Sequence, residues 1–263
     1  MIPYPHIDPI IVRLGPLAVR WYGLMYLLGF LFAYFCIPRL ARRRQLAIDQ
    51  DGTADLLFYL VLGVVCGGRF GYVLFYNPSF YFSHPLQIFS VWEGGMSFHG
   101  GLLGVVVATL IYCWRRHFPP LLLGDILVTA STVGLGLGRI GNFINAELWG
   151  RVTDVPWGMV FPGAGNLPRH PSQLYEAVGE GGLLFFFLYL LHRREVRPGV
   201  VLASFFVGYG LIRFVVEFFR QPDTHLGFFW GGATMGQLLS LPMMLIGGVG
   251  LFWVLRKGES SGH

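Results

Sequence analysis

Residues 138–151, Gly-Arg-Ile-Gly-Asn-Phe-Ile-Asn-Ala-Glu-Leu-Trp-Gly-Arg, set Arg139, Arg151, Asn142, Asn145 and Glu147 directly after a long apolar run at 121–137. Ionisable groups at such a place are costly and persist when they are paired, solvated or bound to something. Further along, Arg213, Glu217 and Arg220 are spaced i, i+4, i+7 and share one helix face. A structural ion pair between Glu217 and one arginine is the plain reading of that face, and it leaves an arginine over. Counting Arg69, Arg139 and Arg213 against Glu147 and Glu217 gives a cationic excess. Guanidinium groups bind phosphate bidentately, which makes an anionic phospholipid head group the expected partner. His99 stands among Gly94, Gly95, Gly100 and Gly101. Glycines let a ligand approach the backbone closely, and imidazole titrates in the range that suits a general base. The structural alternative for His99 is a hydrogen bond between helices.

The elements that must carry these groups are membrane spans. Apolar residues make up 54% and charged residues 13% of the 263 positions, against roughly 25% charged in soluble domains. Apolar runs of about 20 residues recur, the length that crosses a bilayer as helix. The pattern predicts an all-α, polytopic membrane protein with about seven spans: 18–38, 55–76, 97–114, 121–140, 172–191, 199–218 and 233–255. The runs holding Arg69 and His99 are the weakest.

Net charge is +5, and the cations are unevenly placed. Arg39, Arg42, Arg43 and Arg44, then Arg115 and Arg116, then Arg193, Arg194 and Arg197, then Arg256 and Lys257 fill short hydrophilic breaks. The positive-inside rule puts these breaks in the cytoplasm. The N-terminus then lies in the periplasm and the C-terminus in the cytoplasm, as an odd number of spans requires. The expectation is one transmembrane domain over 1–263, with a Gly- and Pro-rich periplasmic cap at 145–171. Residues 1–15 read as an interfacial arm and the first span as an uncleaved anchor. Arg13, Arg20, Arg69, Arg139, Arg151, Arg169, Arg213 and Arg220 lie near the opposite ends of the spans or within them, where orientation does not explain them.

Other signals carry less. Cys36, Cys66 and Cys113 stand singly in apolar stretches, as small buried residues do. Gly136-Leu137-Gly138-Arg139-Ile140-Gly141 matches G-x-G-x-x-G in form. The dinucleotide reading needs a strand–turn–helix context that an apolar span lacks. No internal repeat is visible, so an inverted-repeat transporter has no support. A lipid or anion transporter and an assembly factor with a structural polar core remain the alternative classes.

The segment 138–151 resembles the signature of bacterial prolipoprotein diacylglyceryl transferases. The likeness continues in family order through residues 21–26 (Trp-Tyr-Gly-Leu-Met-Tyr), Gly67-Gly68-Arg69, 94–101, 169–176 (Arg-His-Pro-Ser-Gln-Leu-Tyr-Glu) and 217–223 (Glu-Phe-Phe-Arg-Gln-Pro-Asp), covering nearly the whole chain. Ala146 departs from a position where glycine is common, and the stretch between Arg151 and Arg169 is shorter than in some relatives, which bears on the cap's shape.

The resemblance implies transfer of the sn-1,2-diacylglyceryl group from phosphatidylglycerol to the lipobox cysteine thiol of preprolipoproteins. A thioether forms and glycerol 1-phosphate leaves, as the first step of lipoprotein maturation at the bacterial inner membrane, with the active site toward the periplasm. It implies no cofactor, no metal and no nucleic acid, and a monomer is expected. Carried over residue by residue, Arg139 and Arg213 would hold the phosphate, with Asn142 and Glu147 orienting that face or the glycerol hydroxyls. His99 would take the thiol proton, and Tyr22 and Tyr209 would line the head-group pocket. Arg220 would contact substrate, Arg69 and Glu217 would be substrate contacts or scaffold, and Arg151 structural.

Overall fold

The computed structural model describes residues 2–15, 17–222, 229 and 232–259. Its helices are α1 (Trp21–Arg43), α2 (Gln50–Phe75), α3 (Pro78–Ser83), α4 (Phe98–Arg116), α5 (Pro120–Ile144), α6 (Ser172–Glu176), α7 (Leu184–Arg193), α8 (Val200–Val216) and α9 (Met235–Glu259). A π-helical turn, Ala177–Leu183, joins α6 to α7 without a break. Among the described residues, six helical stretches of 19 to 26 residues are long and apolar enough to cross a membrane, and α8 is a shorter apolar helix. At 17 residues α8 rises about 25 Å, which still spans a thin or locally adapted bilayer. The protein is an all-α, multi-pass membrane protein.

One feature departs from the helical expectation. Ile10–Leu14 (β1) and Leu17–Arg20 (β2) form an antiparallel hairpin that leads directly into α1. The expected interfacial arm is therefore divided. Its first residues are docked: Tyr4 is buried, and its hydroxyl donates to the carbonyls of Phe143 (2.7 Å) and Ile144 (3.1 Å) at the end of α5.

The chain separates into two compact units, Met1–Cys36 with Asp125–His263, and Ile37–Gly124. In the second, α2 and α4 pack antiparallel through glycines. Gly63, Gly67 and Gly71 face Gly104 and Gly100 so closely that a Cβ on Gly104 would lie 1.9 Å from the Gly63 carbonyl oxygen. Small residues at a spacing of four permit this backbone contact between membrane helices. Asp49 and Ser97 cap the two helices, accepting from the backbone N–H of Gly52 (2.8 Å) and Gly100 (3.2 Å).

In the first unit the same device recurs. A Cβ on Gly136 of α5 would lie 2.9 Å from the Gly181 Cα in the π-turn. Helices α8 and α9 run antiparallel, with Gly210 against Ser240 and Met244, and Gly247 against Ala203, Phe206 and Val207. Asp125, fully buried on α5, accepts from the backbone N–H of Gly199 (2.9 Å) and Leu202 (2.7 Å) and so ties α5 to the start of α8. The basic clusters close helices: Arg42 and Arg43 end α1, Arg115 and Arg116 end α4, and Arg193 ends α7.

Residues 145–171 form an irregular segment held by isolated bridges. Bridges pair Val152 and Met159 with Arg169, and Gly150 with Arg220. Tyr4, Phe143, Met159 and Phe161 form its core, with Trp149 and Leu174 packed alongside.

Candidate active site

The contact of Gly136 with Gly181 decides where the charged residues meet. Arg139 lies one helical turn beyond Gly136, and Glu176 and Glu180 belong to the helix that Gly181 brings against it. Arg139 reaches Glu176 with Nη1 at 3.1 Å and Glu180 with Nε at 3.3 Å. From α8, Arg213 donates through Nη1 to the other Glu176 oxygen and lies 3.8 Å from Glu180. Its Nη2 is 2.5 Å from Glu217. Arg220 adds Nη1 at 3.5 Å from Glu217 and 3.9 Å from Glu176. Glu217 is held from a further side by the Thr234 hydroxyl at 2.8 Å, and Gly236 leaves the room it needs.

This arrangement corrects the charge count. The expected cationic excess omitted Glu176 and Glu180. Among the described residues the cluster joins three arginines to three glutamates, and Glu217 engages both Arg213 and Arg220, so no arginine is left over. Charge is balanced in sum but not in position. Glu176 and Glu180 are 0% exposed and Glu217 4%, whereas Arg139, Arg213 and Arg220 keep 19%, 13% and 11%. The carboxylates form a buried backing, and the remaining exposure of the cluster belongs to the arginine side chains. The π-turn that carries Glu180 widens the helix here, as such turns often do at functional sites.

A second polar group adjoins it along α5. Asn142 is buried and donates to Glu147 at 2.7 Å; Asn145 donates to the same oxygen at 3.3 Å. Gln173 donates to the Glu147 carbonyl at 2.6 Å, and the Ser172 hydroxyl to that of Leu148 at 3.1 Å. The turn they hold is strained, with φ of +53° at Ala146 and +57° at Leu148. The family departure noted at Ala146 falls where a glycine would carry no Cβ penalty. Tyr22 packs its ring on Gly141, between Arg139 and Asn142 in the chain, and its hydroxyl lies 3.3 Å from that of Tyr26. Tyr209 sits one turn before Arg213, within the electrostatic reach of Glu180, Arg139 and Arg213.

Arg151 and Arg169 bond to backbone carbonyls of the 145–171 segment and its neighbours. Arg151 donates to the carbonyls of Arg220 (2.9 Å) and Glu217 (3.2 Å), and Arg169 to those of Ala164 and Gly150 (both 3.2 Å). Gly150 lies against Phe219 and His170, where a Cβ would meet the Phe219 carbonyl oxygen at 2.5 Å. Burial lowers the His170 pKa from its ordinary value, and its Nδ1 is 3.0 Å from the Tyr175 hydroxyl.

Arg69 and His99 belong to the second unit. The Arg69 guanidinium is buried and donates to four carbonyls, those of Ile88 (2.8 Å), Gly94 (2.6 Å), Gly95 (3.2 Å) and Gln87 (2.5 Å). It also lies over the Tyr81 ring. These bonds fasten the connection between α3 and α4, a scaffolding use of the side chain. His99 is exposed in the first turn of α4, edge-on to Phe98, after the turn made by Gly94 and Gly95 at positive φ.

The sequence model described as prolipoprotein diacylglyceryl transferase matches residues 9–253. The chain belongs to the prolipoprotein diacylglyceryl transferase family. It is 60% identical over 244 residues to the phosphatidylglycerol–prolipoprotein diacylglyceryl transferase of Geobacter sulfurreducens, covering 93% of this chain and 94% of that one. The protein of the same name from Coxiella burnetii is 54% identical over 263 residues, covering 98% of this chain and all of its own length. That of Methylocella silvestris is 53% identical over 254 residues, 94% of this chain and 93% of its own.

Sequence reasoning missed Glu176 and Glu180 as members of the cluster. Their signal was available: two carboxylates at i, i+4 inside an apolar span are as anomalous as the arginines, and they are the natural partners for them.

Proposed function

We propose that this transferase moves the sn-1,2-diacylglyceryl group of phosphatidylglycerol onto the lipobox cysteine of a preprolipoprotein, at the periplasmic side of the bacterial inner membrane. The observation that carries the reading is the guanidinium face of Arg139, Arg213 and Arg220 over three buried carboxylates. The thiol loses its proton, the sulfur attacks the glyceryl CH2 attached to the phosphate oxygen, and that C–O bond breaks. Its electron pair leaves with the phosphate as glycerol 1-phosphate. The phosphate thereby gains one negative charge, and arginine donors aimed at it in a poorly hydrated site stabilise that change.

Arg139 and Arg213 are assigned to the phosphate. Arg220 and Glu217 complete the same face, and Asn142 with Glu147 presents the glycerol-binding side. Tyr22 and Tyr209 flank the head group. Arg69 positions the turn that precedes His99, and His99 is assigned the thiol proton, whose ordinary pKa of about 8.5 falls near cations. The helix ends closed by Arg42, Arg115 and Arg193 support a cytoplasmic placement for that side and a periplasmic one for the cap.

The test is direct. Purified protein in detergent, given phosphatidylglycerol and a lipobox peptide, forms a thioether-linked diacylglyceryl peptide and releases glycerol phosphate. A folded sample that yields neither product refutes the proposal.

A further inference from the structure

Tyr26 is a polar side chain that neither the packing of the helices nor the arginine–glutamate cluster accounts for. Helices α1 and α5 run antiparallel and touch at two points. A Cβ on Gly29 would lie 3.1 Å from the Gly134 Cα, and one on Gly141 would lie 2.7 Å from the Tyr22 ring. Seven residues separate the two contacts on each helix, Tyr22 to Gly29 and Gly134 to Gly141. The same register sets Tyr26 opposite Leu137 and Gly138. The helices are open there: a Cβ on Gly138 would meet nothing within 4 Å, and Tyr26 is 53% exposed. Arg139 follows Gly138 in the chain, and Tyr26 lies within the electrostatic reach of its guanidinium.

The hydroxyl also has a proton to give. Tyr22 and Tyr26 share one O–H···O hydrogen bond of 3.3 Å, for which either can be the donor. Two hydroxyls joined by one bond leave one proton over, and among the described residues no group accepts it. The Tyr22 ring is seated on Gly141, whereas Tyr26 stands beside the open position. With Tyr22 donating to the Tyr26 oxygen, the remaining proton belongs to Tyr26. A hydroxyl without an acceptor in an apolar span is costly, and a ligand oxygen removes that cost.

We propose that the Tyr26 hydroxyl donates to a phosphate oxygen of the lipid, as a neutral donor beside the guanidinium groups of Arg139 and Arg213. The inference rests on the proposed function and adds a residue to its phosphate site. The two kinds of donor differ in freedom. The guanidinium groups are tied to Glu176, Glu180 and Glu217, which set their direction. The phenolic O–H rotates about its C–O bond and follows one oxygen as charge builds on it during C–O cleavage. The bond received from Tyr22 polarises that O–H and strengthens it as a donor. Losing a hydrogen bond to a charged acceptor slows a reaction by roughly 10–100-fold.

Tyr26→Phe removes the hydroxyl and keeps the ring at an exposed position, so folding is preserved, as thermal unfolding in detergent checks. Wild type and variant are assayed on phosphatidylglycerol and on its two phosphorothioate diastereomers, in which sulfur replaces one or the other non-bridging oxygen. Sulfur accepts hydrogen bonds poorly, so the wild type transfers more slowly from the diastereomer whose sulfur faces Tyr26. In Tyr26→Phe, kcat/KM for phosphatidylglycerol is expected to fall by about tenfold or more. The rate ratio between the diastereomers is expected to shift by about threefold or more, because the bond that sulfur would weaken is already gone. Wild-type kcat/KM in the variant overturns the proposal. So does a slow variant with the wild-type ratio, which marks the hydroxyl as structural. Wild-type protein that turns over no phosphatidylglycerol refutes the proposed function instead. Titration of both proteins with phosphatidylglycerol, which needs no turnover, then decides Tyr26: binding about tenfold weaker in the variant supports its role, and equal affinity, or none in either protein, overturns it.

Discussion

Glu176 is the residue on which the arginine face depends, and Glu176→Gln removes its charge with almost no change of shape. The carboxylate is fully buried and engages Arg139 at 3.1 Å through one oxygen and Arg213 through the other. Losing both partners of a buried charge would cost about 3–5 kcal/mol. Here each arginine keeps a second carboxylate, Glu180 at 3.3 Å for Arg139 and Glu217 at 2.5 Å for Arg213. The glutamine oxygen still accepts one hydrogen bond, so the expected loss is about 2–3 kcal/mol. In a chain of this size that lowers the unfolding temperature by about 5–10 °C. The cluster also gains one net positive charge, and one of the two guanidinium groups loses its acceptor on residue 176. Turnover therefore falls by about tenfold or more as the donors shift, while KM for phosphatidylglycerol stays level or drops. Thermal unfolding in detergent and the thioether assay over a range of lipid concentrations read both quantities. A variant with wild-type stability and kcat, or one whose KM rises at unchanged kcat, refutes the reasoning.

Arg139→Lys keeps the charge but not the fork that spans Glu176 and Glu180, and transfer is expected to fall by about 100-fold in the same assay, the scale of losing one oriented donor; near-normal turnover would mean that charge alone suffices. His99→Gln is expected to lose most of its rate at pH 7 and to recover part of it as pH rises and the thiol ionises unaided, read from the pH–rate profile; a profile parallel to the wild type would remove His99 from proton transfer. Gly150→Val forces a side chain against the Phe219 and His170 backbone, and is expected to lower stability by about 1–3 kcal/mol, loosening the Arg220 bridge; an unchanged unfolding temperature would show that the cap yields there.

The spans were legible because apolar runs of membrane length and basic breaks between them leave few other readings, and among the described residues six of the seven expected spans are helices of that length. The α2–α4 glycine contact was legible in kind, from the four-residue spacing of Gly63, Gly67 and Gly71. The hairpin was not read. Residues 10–14 fall in the expected arm and 18–20 in the first expected span, and both runs are short, although the Gly-Pro pair at 15–16 is a turn signal. Arg139, Arg213, Glu217 and Arg220 were singled out by the cost of charge in an apolar segment. Glu176 and Glu180 follow the same rule, and a count restricted to candidate phosphate ligands and the carboxylates nearest them leaves both out. The π-turn and the Gly136–Gly181 approach lie beyond single-sequence reasoning, because both arise from how two helices meet. Arg69 shows the converse. Its position marked it as unusual, and only the structure reveals four backbone carbonyls as its partners.

The central claim is that the arginine face holds the phosphate of the lipid. A structure of the protein with a non-reactive phosphatidylglycerol analogue bearing a phosphorothioate, whose sulfur locates the phosphate by anomalous scattering, tests it most directly. The account predicts phosphate oxygens about 2.7–2.9 Å from guanidinium nitrogens of Arg139 and Arg213. A phosphate bound elsewhere, with both arginines still closed on Glu176, Glu180 and Glu217, would contradict it.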